Sequence, residues 1–275
     1  MLTEELVATI NANRNRMPLW PWITFLCFLL WPATSRIHPV VTLFWPFASL
    51  VLILYIWRWD RARRTVRIEY PDPSASFAAL CRRFDEIAGS QRIWRIRSRT
   101  TVTDAKRNAG ASYNVTRSTV AFRKRLPTFV AANIQTPVIA TTTPLYLFPD
   151  CILAEHRGRL RRLEYTAVTV DSSTTIFIES ESFIPKDAPV VGKTWKYVNK
   201  NGTPDKRMKD NREYPELRYD LLRVYVTDLI DDVFHISAPG TAGVFQRDFV
   251  AMQSPSYPSA GVEATRETLP DTDHN

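Results

Sequence analysis

Two apolar runs near the start of the chain, separated by six residues, constrain its fold more than any other feature. They cover residues 19–33 and 40–57. A hydrocarbon core of about 30 Å requires roughly 20 helical residues, with a lower limit of about 17. The second run reaches that limit, and the first reaches it when its tryptophans lie at the membrane interface, where tryptophan is enriched. The pattern predicts a two-helix transmembrane hairpin over residues 17–59.

These runs have two other interpretations. A cleaved signal peptide has one apolar run and a small-residue cleavage site, whereas here a second run follows and ends in a basic segment. A buried helical hairpin of a soluble protein stays open, because short apolar runs often form such cores. Arginines flank the outer ends of the runs more than the bridge between them. Both termini are therefore expected in the cytoplasm, with the hairpin in the bacterial inner membrane.

The segment after the second run is strongly basic. Residues 58–67 contain five arginines and one aspartate. Basic residues near a membrane surface attract anionic lipid by about 1 kcal/mol each. The residues expected to contact lipid phosphate are Arg58, Arg61, Arg63, Arg64 and Arg67.

A proline inside the second run suggests helix packing. Pro46 lies near Thr42 and Ser49. Proline removes a backbone donor and tends to kink a helix, and in lipid neighbouring helices or water must satisfy the freed groups. Thr42, Pro46 and Ser49 are therefore candidates for packing in an oligomer or for lining a pore. A plain anchor with incidental prolines is an equally good interpretation.

Composition divides the remaining chain. Residues 1–16 predict a cytoplasmic lead-in helix, and residues 60–73 a basic juxtamembrane linker. Residues 74–250 predict a cytoplasmic domain of the α+β class: a mainly antiparallel β sandwich or barrel with one or two helices. Residues 251–275 are rich in Ser, Pro, Thr and acidic side chains and are expected to be a disordered tail.

Local signals inside the domain give more detailed expectations. Ser74 can cap a helix that Gly89 ends. Residues 210–215 predict a loop, and residues 228–236 either a strand or a short helix. Strands are expected at residues 92–97, 119–122, 138–140, 145–155, 160–170, 174–179, 194–199 and 221–227.

The domain carries an uneven positive charge. The chain has a net charge of +8, and residues 91–128 contain ten basic residues and one acid, which is too lopsided for ordinary mixed surface charge. A second basic group, within residues 193–212, is interleaved with aromatic side chains, as single-stranded nucleic acid or a nucleotide requires. The candidate polyanion-binding residues are Arg92, Arg95, Arg97, Arg99, Lys106, Arg107, Arg117, Arg123, Lys124, Arg125, Lys196, Lys200, Lys206 and Arg207.

Two local arrangements refine this interpretation. On a regular strand Arg95, Arg97 and Arg99 form a stripe on one face, because side chains two residues apart point the same way. The small-residue loop at residues 106–112 is expected to present backbone N–H groups and cations to phosphate. An acidic protein partner, or charge that is merely solvated or paired with the acids of residues 205–232, stays open as an alternative.

Catalytic motifs are missing from the sequence. It contains no phosphate-binding glycine loop, no paired zinc ligands and no Gly-x-Ser-x-Gly elbow. Its three cysteines are far apart, which suits a reduced cytoplasmic domain. The expectation is a protein that is not an enzyme, with no catalytic residues, no metal and no cofactor.

Residues 88–94, 104–112 and 194–207 resemble a bacterial domain found in otherwise uncharacterised proteins, a family that implies no catalytic residues. In layout, the chain resembles the membrane effectors of bacterial antiphage systems, such as Hailong-type channels that a DNA oligomer holds shut. The second resemblance implies a homo-oligomer, such as a tetramer, a nucleotide or single-stranded DNA oligomer as ligand, and a partner protein that synthesises the ligand.

These observations lead to one principal hypothesis. The chain would be a membrane-anchored oligomeric sensor-effector, an ion channel or pore gated by an anionic nucleotide or oligonucleotide, acting in antiviral defence. The alternative is an inner-membrane anchor that displays a protein-interaction domain and has no channel activity.

Overall fold

The computed structural model describes residues 2–34, 36, 39–180 and 183–254. Its fold is mixed α+β, with two apolar helices in an N-terminal region and a curled, antiparallel half-barrel sheet further along the chain. The chain divides into two compact units. The described part of the first unit comprises the residues up to 71 together with 126–134, and that of the second comprises 72–125 and the residues from 135 to 254.

The first unit contains three helices, α1 (Glu4–Asn15), α2 (Trp20–Thr34) and α3 (Pro39–Arg64). Thr3 caps α1, since its Oγ1 accepts a hydrogen bond from the Leu6 N–H. Trp45 of α3 donates from Nε1 to the Cys27 carbonyl of α2 at 3.0 Å. Helices α2 and α3 therefore pack side by side. Residues 35, 37 and 38 of the predicted polar bridge lie outside the described residues.

The apolar helices are largely uncovered. Two helical stretches, Glu4–Thr34 and Pro39–Arg64, are long and apolar enough to cross a membrane, judged by length and composition. In their most apolar 18-residue windows, 11% of the first and none of the second is buried. The core helix of a soluble protein is mostly buried. The exposure therefore favours membrane association over a buried soluble hairpin.

Arg64, at the end of α3, completes the C-terminus of α1. Its Nε donates to the Asn13 carbonyl at 2.9 Å, and its Nη2 donates to the Arg14 carbonyl at 2.7 Å. The last carbonyls of a helix have no partner within the helix, and this guanidinium supplies one. Asp60, which is 2% exposed, lies 3.6 Å from Arg64 Nη1. The Phe129 ring centroid lies 4.1 Å from the Arg64 Cζ.

This position changes the role expected for one residue of the basic segment. Arg64 is expected from the sequence to contact lipid phosphate, but it is buried and its guanidinium holds the carbonyls of α1. Arg58, Arg61 and Arg67 are exposed. Arg63 is half-buried and pairs with Asp60 at 2.8 Å.

The first unit ends in a short parallel pair, β1 (Val66–Ile68) with β5 (Val130–Ala132). The Asn133 side chain extends this pairing, because it accepts from the Tyr70 N–H at 2.9 Å and donates to the Tyr70 carbonyl at 2.7 Å. Residues 126–134 therefore belong to the first unit although their sequence neighbours belong to the second.

The second unit contains helices α4 (Ala75–Ala88) and α5 (Thr241–Ala251). The prediction for α4 is confirmed: the Ser74 Oγ accepts from the Phe77 N–H at 3.2 Å, and Gly89 is the C-cap. Its apolar face is buried, as its helical spacing predicts. Helix α5 is not foreseen by the sequence interpretation. It ends at Ala251, the first residue assigned to the disordered tail, and residues 255–275 of that tail lie outside the described residues.

Two antiparallel sheets complete the second unit. The larger has the order β10-β12-β13-β2-β3, with β11 also paired to β12, and the smaller has the order β4-β6-β7-β8-β9. The larger consists of β2 (Ile93–Thr101), β3 (Tyr113–Thr119), β10 (Thr169–Ile178), β11 (Val190–Trp195), β12 (Glu213–Val226) and β13 (Ile230–Ile236). The smaller consists of β4 (Arg123–Lys124), β6 (Pro137–Ile139), β7 (Leu145–Leu147), β8 (Ile152–His156) and β9 (Arg159–Leu163).

One hydrophobic core joins both sheets and both helices. Phe84 of α4 stacks on Phe122 with ring centroids 5.5 Å apart, and Phe122 meets Phe234 of β13 edge to face at 5.3 Å. Leu145 and Ile152 of the smaller sheet belong to the same cluster. The aromatic contacts place α4 against the larger sheet.

Several strand predictions need correction. Strand β3 ends at Thr119, because Phe122 enters the core instead of continuing the ladder. The strand expected at residues 194–199 ends at Trp195, and residues 196–199 lie outside the strands given above. The expected loop at 210–215 is wrong from Glu213 onward, where β12 begins. Pro215 lies within β12, and its carbonyl accepts a hydrogen bond from the Glu179 N–H at 2.9 Å. Residues 230–236 form a strand, the first of the two alternatives.

Arg64→Ala should loosen α1. Charged hydrogen bonds contribute about 1.5–3 kcal/mol, so amide hydrogen exchange in α1 should accelerate by at least tenfold. The measurement is hydrogen–deuterium exchange of the detergent-solubilised chain. The exposed Arg61→Ala variant is the control and should leave α1 protection unchanged. Equal protection in both variants would contradict the assigned role.

Candidate ligand-binding cleft

A buried ion pair joins the two edges of the larger sheet. Arg117 lies on β3, and Glu179 directly follows β10. Arg117 Nη2 donates to Glu179 Oε1 at 2.5 Å, and the two side chains are 5% and 0% exposed. Strands β3 and β10 stand at opposite ends of the strand order. The contact therefore requires the sheet to curl until its edges meet.

Aromatic rings enclose this pair. The Arg117 Cζ lies 4.1 Å from the Trp94 ring centroid and 4.5 Å from that of Phe177. Tyr219 Oη donates to Glu179 Oε2 at 3.0 Å. Burial and the nearby Glu179 charge raise the pKa of Tyr219, so its hydroxyl stays a donor to the carboxylate.

A neutral histidine extends the cluster. His235 of β13 is 6% exposed and stacks on Tyr219 with ring centroids 5.9 Å apart. Burial lowers the pKa of His235 to about 4, with further contributions from the charges of Arg117 and Arg99. Its Nδ1 is buried and has no hydrogen-bond partner among the residues that the structure describes.

A cleft of about 850 Å³ opens beside this cluster. Ligand pockets typically have volumes of roughly 300–1,000 Å³. One end of the cleft is apolar. The basic residues that line the cleft are Arg99, Arg107 and Lys196. Among the described residues that line it, none is acidic. The apolar end is formed by Ile96, Phe177, Leu221 and Val233, with His235 beside them.

The cations of the cleft are accessible to a ligand. Arg99 is exposed, has its Cζ 4.1 Å from the Tyr113 ring centroid, and has no carboxylate partner in the described part of the chain. The Arg107 side chain is 78% exposed and lies 3.6 Å from Asp104. Lys196 pairs at 2.9 Å with an exposed Asp210. Exposed ion pairs contribute only about 0–1 kcal/mol, so a phosphate can compete for these cations.

Comparisons with known proteins give no family for the chain. No family model, no curated protein and no solved structure matches it. The resemblances of residues 88–94, 104–112 and 194–207, and of the layout to antiphage effectors, therefore stay predictions. The cleft must be interpreted from its own residues.

The loop at residues 106–112 contributes side chains to the cleft, not the expected backbone donors. The N–H groups of Ala109, Gly110 and Ala111 donate to the carbonyls of Lys196, Ala105 and Asn108 at 2.8–3.0 Å. Their use within the protein leaves them unable to bind phosphate. The contact with Lys196 has a different consequence, since it brings Arg107 of the first basic group next to the second.

A β-bulge breaks the predicted arginine stripe. The register of β2 against β3 shifts between Ile96 and Ser98. Arg95 pairs opposite Ser118, and Arg97 donates to the Ser118 Oγ, whereas Arg99 pairs opposite Val115. Opposed residues share a face, and β3 alternates regularly through the bulge. Arg95 and Arg97 therefore lie on one face, and Arg99 lies on the face of the cleft.

Three other predicted polyanion ligands pair with carboxylates, and none of the three lines the cleft. Arg117 is buried against Glu179, so its charge is not offered to a ligand at the surface. Lys124 pairs with Asp85 at 2.6 Å. Arg207 donates to both carboxylate oxygens of Asp205 and lowers the Asp205 pKa to about 2.

The remaining candidates lie outside the cleft lining. Within the described residues they have no carboxylate at ion-pair distance, so they add positive potential to the domain. They are Arg92, Arg95, Arg97, Lys106, Arg123, Arg125, Lys200 and Lys206.

The sequence interpretation missed the buried cluster beside the cleft. Glu179, Tyr219 and His235 come from three segments, and no short motif connects them. The available signal was a histidine between two apolar residues of a strand, Phe234 and Ile236. No cluster of three or more His, Cys, Asp or Glu residues that could hold a metal ion occurs in the described ranges.

Glu179→Gln should destabilise the second unit. It leaves Arg117 as an uncompensated buried charge, which costs about 3–5 kcal/mol. Denaturant unfolding followed by near-ultraviolet circular dichroism measures this loss. Arg117→Met combined with Glu179→Gln should recover much of the stability. Asp231→Asn, which breaks the exposed pair with Arg223, is the control and should cost no more than about 1 kcal/mol. Equal losses in the two single variants would refute the assigned importance of the buried pair.

His235 should make the second unit less stable in acid. Its folded pKa of about 4 lies below its ordinary value of 6.5, so between these values the unfolded chain binds a proton that the folded chain does not. Stability is therefore present above pH 6.5 and is lost as the pH falls towards 4, by about 3 kcal/mol from this group.

Unfolding midpoints measured from pH 7.5 to 4 test this. His235→Leu should lack this component of the decline. Parallel pH profiles for the variant and the parent would contradict the prediction.

Proposed function

We propose that this chain is a membrane-anchored sensor whose second unit binds an anionic nucleotide or oligonucleotide. The observation that carries the proposal is the exposed apolar surface of α2 and α3 in a chain that also has a cationic cleft, with no acid among its described lining residues. The first feature requires a lipid or protein cover. The second fits a phosphorylated ligand from the aqueous phase.

The membrane part of the proposal is a transmembrane hairpin of α2 and α3. Large apolar side chains are exposed along both helices, for example Phe28, Leu43 and Phe47. Lipid would cover them, and the arginines after α3 would lie at the phosphates of the cytoplasmic leaflet. The greater number of arginines outside the bridge supports a bacterial inner membrane with both termini in the cytoplasm.

The seam between α2 and α3 supports assembly into an oligomer. Thr42 and Ser49 are half-buried, Trp45 lies between them, and the Ser49 Oγ is buried without a hydrogen-bond partner in the described residues. Pro46 lies one turn from both Thr42 and Ser49 and is exposed at the border of this seam. Proline within a membrane helix is accommodated by neighbouring helices. Thr42 and Ser49 then serve packing within one hairpin, and the exposed Pro46 is available to a neighbouring one.

An oligomer of such hairpins, for example a tetramer, would form an ion channel that the ligand opens or closes. A ligand shifts such an equilibrium only through different affinities for the two states. A ring of subunits would repeat the cationic cleft and attract a short oligonucleotide with strong salt dependence. In this proposal the chain acts in antiviral defence, and a partner protein synthesises the ligand.

The alternative function is an anchor that displays a protein-interaction domain. One observation favours it: Ile176, Val190 and Val191 expose apolar side chains on β10 and β11, and exposed apolar surface often marks a protein contact. This alternative requires a protein partner and no ion flux.

Ion flux in liposomes tests the proposed function. The purified chain should conduct ions through liposomes that contain anionic lipid, and a hexameric single-stranded DNA should change the rate. Protein-free liposomes with the same DNA are the control. If flux is absent both with and without DNA, the channel proposal fails and the anchor remains.

A further inference from the structure

We infer that the cleft of the second unit binds a single nucleotide unit, with its base against the apolar end and its phosphate at Arg99, Arg107 and Lys196. This inference rests on the proposed function and specifies its ligand. The juxtaposition that carries it is an apolar end that contains the Phe177 ring beside three accessible cations, in a cleft with no acidic lining residue among those described.

The apolar end suits a flat, uncharged ring. Ile96, Phe177 and Leu221 line it, and Phe177 stays half-buried although Arg117 covers part of its ring. Aromatic side chains stack on bases, and every base has a stacking face. The ring at the base of the cleft, His235, is neutral at physiological pH. The positive charge of Arg117 beneath it is already paired with Glu179.

The cationic end suits a phosphate. Arg99 is on β2, Arg107 is in the loop before β3, and Lys196 follows β11. Three separate segments thus direct side-chain cations towards one opening. Because the N–H groups of Ala109, Gly110 and Ala111 are used within the protein, the inference assigns phosphate recognition to these side chains. Exposed cations are screened by salt, so binding should weaken as ionic strength rises.

The two ends together exclude simpler ligands. Inorganic phosphate would contact only the cations, and a nucleoside would contact only the apolar end. Membrane lipid would meet the cations with a headgroup but would offer no planar ring to Phe177. A nucleotide unit satisfies both ends, whether it is free or part of a single strand.

Binding of defined probes to the detergent-solubilised full chain tests the inference. The probes are the four ribonucleoside 5′-monophosphates, the four nucleosides, ribose 5-phosphate and hexameric deoxyadenylate. At low salt, at least one monophosphate or the hexamer should bind, and at least tenfold tighter than ribose 5-phosphate, since stacking of one base contributes a factor of roughly 5–150. A nucleoside should bind more weakly than its monophosphate.

Two variants locate the binding. Arg99→Gln should weaken binding by about fivefold, and Phe177→Leu by about tenfold. The matched control is Arg223→Gln, which removes an exposed arginine that does not line the cleft and should bind as the parent does. Unfolding midpoints show whether Phe177→Leu folds. If it does not, the Arg99→Gln variant and ribose 5-phosphate, which lacks a base, still decide.

The outcomes separate the possible ligand sources. Tight binding of a monophosphate, with no gain for the hexamer, identifies a free nucleotide, whereas a preference for the hexamer that Arg99→Gln reduces identifies a strand. Binding by none of the probes, equal binding of ribose 5-phosphate, or equal affinities of Arg99→Gln and Arg223→Gln would overturn the inference.

This test is independent of the channel. Nucleotide binding without ion flux would leave the inference standing and remove the channel. If DNA changes ion flux equally in the parent and in Arg99→Gln, the channel proposal stands and the inference about the cleft is overturned.

Discussion

The buried contact between Arg117 and Glu179 requires the larger sheet to curl. It joins residues at opposite ends of the strand order, so a flat sheet could not make it. Removing two charges from water is costly, and attraction repays that cost only when the geometry is good and the remaining polar atoms are bonded. Trp94, Phe177 and the Tyr219 hydroxyl supply those conditions. Phe177 also lines the cleft, so the surroundings of the ion pair and the candidate ligand site share this ring.

The cleft exists because a side-chain contact, and not a strand ladder, joins the two edges. Residues 113–116 of β3 and 175–178 of β10 line the cleft, and Arg117 and Glu179 come directly after them. If β3 and β10 were hydrogen-bonded along their lengths, the sheet would close into a small barrel whose interior side chains would fill. Ion pairing at one position leaves neighbouring strand segments apart, and their side chains remain open to a ligand.

Local sequence signals predict those structural elements that depend only on residues close by in the chain. The helix from Ala75 to Ala88 follows from Ser74, Gly89 and a helical apolar pattern. Local signals do not distinguish the buried arginines from the exposed ones. In the sequence, Arg64 and Arg117 look like the other members of their basic groups, yet both side chains are buried. Their partners Asn13 and Glu179 lie 51 and 62 residues away, so no local pattern reveals the contacts. The bulge that turns Arg99 towards the cleft is likewise a property of the pairing with β3.

The curl also gives a ligand a means of stabilising one form of the sheet. Arg99 stands on one side of the cleft, and Lys196 and Tyr214 stand on the other. A ligand that contacts both sides binds the curled sheet more tightly than an opened one, since opening separates the groups that hold it. By linkage, the ligand then stabilises the curled sheet in proportion to that difference in affinity. The net charge of the chain does not measure this effect, because the buried arginines are already paired and only the cations lining the cleft take part.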